Sequence, residues 1–356
     1  MTMEASAVGV RAGERFCGLQ DRGDDAGELG FDFVRRRRCR AVEGAISSGE
    51  TAHDLKAHGI GQRIEHAVQA DNLDFRMKKG ERRRRARIRS KGVELPGDFE
   101  MTSSLTGKVA VVTGASRGIG RAIAERLAAD GALVAVHYGK SKAHAEDVVA
   151  GIAAKGGAAF AVGADLSAKD GVATLFAGLD RELEGRNGSN QFDILINNAA
   201  VAPFVDFANT TEEVDEIYTV NVRSVVLATK EAVKRLRDGG RVVSISSGVV
   251  RTPVPDAAAY SFLKAPIDNL TKTLAAVLGP RAITVNAVAP GVIDTDMAAA
   301  LARDPVVSEG VKGKQALKRI GQPEDIADVV GFLAGPESRW VTGQVIEASG
   351  GTALTF

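Results

Sequence analysis

Cysteine is almost missing from this chain: 356 residues carry two, Cys17 and Cys39. Everything beyond position 39 is therefore without a disulfide framework, a thiolate zinc site or a cysteine nucleophile. Histidine is nearly as scarce. After His66 only His137 and His144 remain, too few for a histidine metal cluster, so no metal site is expected. Aromatic residues make up 5% of the chain, which argues against carbohydrate-binding or aromatic-cage modules. No apolar run reaches the roughly 18 residues of a membrane-spanning helix, so no membrane association is expected. An excess of one charge is lacking too. With 46 basic and 45 acidic residues, the net charge of +1 offers no global attraction for nucleic acid or a membrane surface. What is present is 44% apolar residues and 40 glycines, a composition that supports a packed core.

The chain divides near Met101. Residues 1–100 hold both cysteines and two arginine runs, Arg35–Arg38 and Arg82–Arg85, but no sustained helical or alternating apolar pattern. They read as a basic extension, disordered or produced by too early a start codon, because Met101 opens a domain of ordinary size. Clustered arginine also allows a nucleic-acid arm, and an RNA-associated protein is kept as an alternative. The opening MTMEASAVGVRAGER lacks the apolar segment of a secretory signal, so a cytoplasmic location is expected.

Residues 101–356 form one domain by pattern. Short β-rich apolar runs alternate with amphipathic stretches. Strands are expected at Lys108–Thr113, Ala132–His137, Ala158–Val162, Phe192–Ile196, Arg241–Ile245, Ala282–Val288 and Gln344–Glu347. Helices are expected at Ile119–Asp130, Ala143–Lys155, Lys169–Leu183, Thr211–Arg237, Ala257–Leu278 and Pro323–Leu333. Continuous apolar strands separated by helices mean an α/β fold with a parallel sheet buried on both faces. Right-handed crossovers then lead to a doubly wound Rossmann sheet.

TGASRGIG (Thr113–Gly120) joins the first strand to the first helix. Glycines there let the backbone approach a pyrophosphate, and the helix start offers free N–H groups to that anion. Gly114, Ala115, Ser116, Arg117, Gly118, Ile119 and Gly120 are thus candidate dinucleotide-binding residues. No carboxylate occupies Val136–Lys142, where an enzyme using NAD usually keeps an acid for the ribose hydroxyl. Arg117, Lys140 and Lys142 could instead meet a 2′-phosphate, so NADP(H) is expected over NAD(H).

Tyr260 and Lys264 lie four residues apart on an expected helix, hence on one face. A phenol titrates near 10 when free; a neighbouring ammonium is expected to lower that value and suit it to general acid–base work.

Taken together, the glycine turn and a series of short segments resemble the short-chain dehydrogenase/reductase family, in its single-domain branch similar to 3-oxoacyl-carrier-protein reductases. The segments are Asp165–Leu166, Asn197–Ala199, Val220–Asn221, Ile245–Ser247, the YxxxK pair, Pro290–Thr295, Pro323–Ala327 and Thr342–Gln344. The resemblance spans about Leu105 to Leu354. It implies hydride transfer between a nicotinamide dinucleotide and a carbonyl or secondary alcohol. It makes Tyr260, Lys264, Ser247 and Asn221 the catalytic set, with Asn221 organising a water link to the lysine. It adds Asp165, Leu166, Asn198, Pro290, Gly291, Ile293 and Thr295 to the cofactor contacts, with Tyr260 and Lys264 also touching the cofactor. A homotetramer or homodimer follows from the same resemblance.

Several positions depart from the family pattern. Ala200 stands where glycine is usual, which costs strain if positive φ is needed. Phe262 and Leu263 replace small residues, Pro266 threatens a kink beyond Lys264, and Ser349 replaces an aspartate. The substrate pocket is expected from 200–210, 248–256 and 292–315, with Val201, Phe204, Phe207, Val249, Val250, Val254 and Met297 suggesting a carbon-rich substrate. A 3-oxoacyl thioester and a general ketone both remain open; a carrier protein would need a basic surface beside the cleft, but Arg223, Lys230, Lys234, Arg235 and Arg237 are expected to be an ordinary solvated or subunit-facing surface. A cofactor-binding regulator without turnover is the reading that the intact Ser247, Tyr260 and Lys264 oppose.

Overall fold

Side chains of successive strand residues point to opposite faces, and the first strand shows what that does here. In β1 (Val109–Val112) every residue is buried; Ala110 and Val112 join the core on one face, Val109 and Val111 the core on the other. The computed structural model describes residues 105–352 and Leu354, so the segment 1–100 with its arginine runs lies outside the described residues. The strands that follow are β2 (Leu133–Tyr138), β3 (Ala158–Gly163), β4 (Phe192–Asn197), β5 (Leu236–Ile245), β6 (Thr284–Pro290) and β7 (Val345–Ala348). All pair in parallel, in the order β3-β2-β1-β4-β5-β6-β7.

Helices connect them: α1 (Gly118–Ala129), α2 (Lys142–Ala154), α3 (Gly171–Asn187), α4 (Glu213–Ile217), α5 (Ser224–Val233), α6 (Ala258–Leu278), α7 (Ala299–Ala302), α8 (Pro305–Gly313) and α9 (Pro323–Ala334). α1, α2 and α9 cover one face through Ile123, Leu127, Val148, Ile152, Ile326 and Val330. α3, α5 and α6 cover the other through Leu175, Leu179, Ala228, Ala232, Ala275 and Leu278. Each fully buried leucine or isoleucine contributes roughly 2 kcal/mol, so these two layers, more than helix propensity, hold the fold. The doubly wound parallel sheet expected from the pattern is the sheet observed. Chain order reverses between β1 and β4, and in such sheets ligands bind outside the C-terminal strand ends at that crevice.

Three expectations are corrected. The single helix over Thr211–Arg237 is α4, a wide π turn (Tyr218–Arg223) and α5. It ends at Val233, and Leu236 already pairs with Phe192 in the sheet. Leu236 continues the helical apolar spacing from Val233, which is why the pattern runs on. Strain at Ala200 is absent, since among the described non-glycine residues only Ala282 and Lys318 have positive φ. Finally, Pro266 does not break α6, which runs unbroken through it. Pro266 and Phe262 both face solvent, so the carbonyl that proline leaves without a donor lies on the wet side of the helix.

Opposite the crevice, Asp193 is buried at the start of β4. Its carboxylate accepts from Lys108 Nζ at 3.1 Å, the Val109 N–H at 2.9 Å and Arg237 Nη1 at 2.8 Å. This knot joins β1, β4 and the start of β5. Asp193→Ala is expected to cost about 2 kcal/mol, because a buried N–H and two charge-assisted bonds lose their acceptor. Urea unfolding checks this, with activity per folded molecule unchanged.

Candidate active site

The glycine turn is built by close approach. A Cβ on Gly114 would sit 2.8 Å from Ala199 Cα, and one on Gly120 would sit 2.3 Å from the Gly114 carbonyl oxygen. Gly114 and Gly118 also have positive φ, +63° and +55°, where a side chain is strained. Side chains from neighbouring strands clamp the turn. Asn198 Nδ2 donates to the carbonyls of Thr113 (2.9 Å) and Gly114 (3.0 Å), while Thr113 Oγ1 accepts from the N–H groups of Asn198 and Ala199. His137, 2% exposed at the end of β2, accepts the Gly114 N–H through Nδ1 at 3.0 Å. Its Nε2 lies 2.9 Å from the Ala164 carbonyl. A carbonyl only accepts, so Nε2 carries the proton. Burial pulls this imidazole down to about 4. Neither His137 nor the clamp by Thr113 was singled out by the sequence reading; their position at the strand end beside the glycine turn is the signal that was available.

At the head of α1, Arg117 is extended and supplies no side-chain cap. The first N–H groups of the helix thus keep free valences that an anion can fill. The cradle fits the pyrophosphate of a dinucleotide: the glycines at 114 and 120 let the turn fold tightly against Ala199 and Asn198, and the helix start above it is uncapped. Arg117 is exposed, 3.8 Å from Asp296. Lys140 is exposed too, and its charge helps hold the Asp165 carboxyl below its ordinary range, after the larger effect of hydrogen bonds from the Ser167 hydroxyl and N–H. Asp165 is exposed at the end of β3, free to meet a ligand, but the Leu166 side chain is buried in the core and leaves only its backbone for that purpose. Ala115 and Ile293 are likewise core residues, and Ile119 packs against the same core. Asn198 spends its amide on the turn. Gly291 follows Pro290 at the end of β6, and a Cβ there would sit 2.9 Å from Ser349 Cα. Thr295 closes over the turn, its Cγ2 3.3 Å from where a Gly118 Cβ would be.

The other half of the site stands on β5 and α6. Ser247 lies two residues past the end of β5, at the head of a short 3-10 turn, with its hydroxyl beside the Tyr260 phenol. Lys264, 3% exposed, donates from Nζ to the Ile245 carbonyl at 2.9 Å and lies 5.8 Å from the Tyr260 ring centre. Burial pulls the ammonium down to about 8, with Asp268 opposing. The phenol is pushed above its ordinary value by burial, which the Ser247 hydroxyl only partly offsets. This reverses the direction expected from the Tyr–Lys spacing alone. The ammonium is itself buried and aimed at a strand carbonyl, so it does not outweigh desolvation of the phenol.

Asn221 reaches the site by way of the π turn, a distortion that recurs at functional positions. Its Oδ1 accepts from the Val201 N–H at 2.9 Å and its Nδ2 donates to the Val201 carbonyl at 2.7 Å. The side chain thus anchors the loop after β4, and the sequence reading of a water organiser did not include this contact. On the rim, Phe204, Phe207 and Met297 are 46%, 79% and 46% exposed. Most of the basic residues that a carrier protein could have used are engaged within the chain. Arg235 pairs with Asp180, Lys234 with Glu231 and Arg237 with Asp193, and Arg223 donates to the Lys169 carbonyl.

A nucleotide cradle at the sheet's switch point, beside a Ser–Tyr–Lys cluster, defines a Rossmann-type oxidoreductase. The family model described as enoyl-(acyl carrier protein) reductase matches residues 114–353. An oxidoreductase of Methylorubrum extorquens is 46% identical over 252 residues, covering 70% of this chain and 99% of that protein. The solved reductase LugOII, which catalyses keto-reduction at C1 during lugdunomycin biosynthesis, is 47% identical with a TM-score of 0.68, covering 70% of this chain and 100% of that one. The angucycline C-6 ketoreductase LanV, solved with NADP, is 43% identical with a TM-score of 0.68, covering 70% and 97%. The chain belongs to the short-chain dehydrogenase/reductase family, oxidoreductases acting on C=O and CH–OH groups. Among the described residues, no helix is long and apolar enough to cross a membrane.

Proposed function

We propose that this chain is an NADP(H)-dependent ketoreductase that reduces a bulky, carbon-rich ketone to a secondary alcohol. One observation carries the reading: the Tyr260 phenol, beside the Ser247 hydroxyl and with Lys264 one helical turn away, stands at the strand ends that also bear the glycine cradle. NADPH, when bound, supplies the hydride. The chain's own residues do the rest. Ser247 holds the substrate oxygen. Tyr260, kept protonated by burial, gives its proton to that oxygen as the carbonyl is reduced. Lys264 supplies the positive charge that stabilises the phenolate left behind. Asn221 keeps Val201 and its loop against the pocket. Gly114–Gly120, Asp165 and Pro290–Thr295 seat the dinucleotide, with Asn198 holding the turn in shape and Arg117 and Lys140 meeting the 2′-phosphate.

The exposed apolar rim of Phe204, Phe207 and Met297 favours an uncharged carbon skeleton over a carrier-bound thioester. So does the internal pairing of the basic residues on and after α5. Relatives named for keto-reduction at C1 and C-6 of natural-product scaffolds support the same choice. Exposed Val226, Val277 and Trp340 favour a homotetramer or homodimer.

The test is a panel of cyclic ketones and β-ketoacyl thioesters, assayed with each dinucleotide. The cyclic ketones are expected to be the better substrates. kcat/KM is expected to favour NADPH over NADH by about tenfold or more, the worth of one charge-assisted contact. A preference for NADH would reject the roles of Arg117 and Lys140.

A further inference from the structure

Two rungs tie the end of β5 to α6. Lys264 Nζ donates to the Ile245 carbonyl at 2.9 Å, and Ser246 Oγ donates to Asp268 Oδ1 at 2.5 Å. Ile245, the last residue of β5, and Ser246 are consecutive, and the helix residues lie one turn apart. Ser246 and Lys264 are 2% and 3% exposed. Along the helix, the ammonium therefore has the phenol of Tyr260 one turn before it and the carboxylate of Asp268 one turn after it. A short hydroxyl-to-carboxylate bond is charge-assisted, so Ser246 fixes where that negative charge sits.

We propose that Asp268 is a positioning residue of the catalytic centre: tethered by Ser246, its carboxylate supplies the charge that keeps the Lys264 ammonium cationic beside Tyr260. The inference rests on the reduction chemistry proposed above. A buried amine without a counter-charge sheds its proton, and Asp268 is the group that opposes burial here.

The elements packed on α6 present their other charges elsewhere. β5 offers the Ile245 carbonyl, the residues just past it the hydroxyls of Ser246 and Ser247, and the π turn the amide of Asn221. Glu213 on α4 is engaged with Thr211, and Asp215 and Glu216 are exposed. Arg223 donates to the Lys169 carbonyl. Arg251, after β5, pairs with Glu347; Asp256 is exposed; Arg281, beyond α6, pairs with Asp238.

Asp268→Asn keeps an acceptor for Ser246 and removes the charge. In the parent, kcat/KM for ketone reduction is expected to fall as pH rises through about 8, where Lys264 loses its proton. In Asp268→Asn that limb is expected to move down by about one pH unit, and Asp268→Glu is expected to return it towards the parent. A second readout needs no turnover. Lys264 binds its proton more weakly folded, at about 8, than unfolded, at 10.5. Between those values the unfolded state holds more protons, so stability rises with pH. The onset of that rise is isolated by comparing each protein with its Lys264→Met version. It is expected at lower pH in Asp268→Asn. Should Asp268→Asn not fold, Ser246→Ala, which releases the carboxylate, is read by the same two measurements and is expected to move both downward. A limb and an onset that both stay at their parental positions overturn the role of Asp268. Full activity in Tyr260→Phe would instead overturn the reduction chemistry, and the onset would still decide Asp268.

Discussion

Tyr260→Phe is expected to lower kcat for ketone reduction by about a thousandfold, the middle of the range for loss of a general acid. The substitution removes one oxygen from a half-buried side chain and keeps the ring. Ser247 loses a polar neighbour but retains its contact with the Val249 N–H at 3.4 Å. α6 keeps its packing through Ile267, Thr271 and Leu278. The thermal midpoint and the dissociation constant for NADPH are therefore expected to stay close to the parent values. The loss should appear in kcat more than in KM, the mark of an interaction made in the transition state. Turnover within tenfold of the parent would remove the phenol from the mechanism.

The second large effect is on stability and comes from His137. Its imidazole is neutral in the fold and titrates at about 4, against 6.5 when free. The folded value is depressed, so between pH 6.5 and 4 the unfolded chain binds a proton that the folded chain refuses. Stability is then lost as pH falls through that window, by about 3 kcal/mol in total. Protonation would place a second N–H against the Gly114 N–H, so the glycine turn is where the acid form breaks. His137→Asn cannot titrate. Its unfolding free energy, lower than the parent's at pH 7, is expected to converge on it by about 3 kcal/mol between pH 6.5 and 4. Parallel losses in the two proteins would refute the assignment.

The sheet and half of the site were legible because their signals are local. Strand runs such as KVAVVT and FDILI are apolar throughout, as burial on both faces demands. Glycines at 114 and 118 mark positions where no side chain fits, and a tyrosine four residues before a lysine on a helix puts both on one face. The parts that were not legible depend on tertiary contacts. The π turn at Tyr218–Arg223 leaves no trace in composition, and only the partner at Val201 explains why Asn221 turns inward. Leu236 matches the helical repeat and a strand start equally well. Asn198 resembles a ligand residue, although its amide is already spent on the Thr113 and Gly114 carbonyls. The direction of the Tyr260 shift depends on how deeply ring and ammonium are sunk, which residue spacing does not encode. Asp268 reads as one more acid on a helix until Ser246 is seen to meet it.

The clamped glycine turn carries a thermodynamic consequence. Asn198, Thr113 and His137 hold its backbone through five hydrogen bonds, none of which involves the dinucleotide. The receptor loop is thus rigid in advance, and association with the phosphates forfeits little main-chain freedom. Affinity for the coenzyme then tracks the electrostatics of the phosphate contacts, weakening with ionic strength, while the Gly114 N–H, already bonded to His137, stays as protected from amide exchange in the free protein as in the complex.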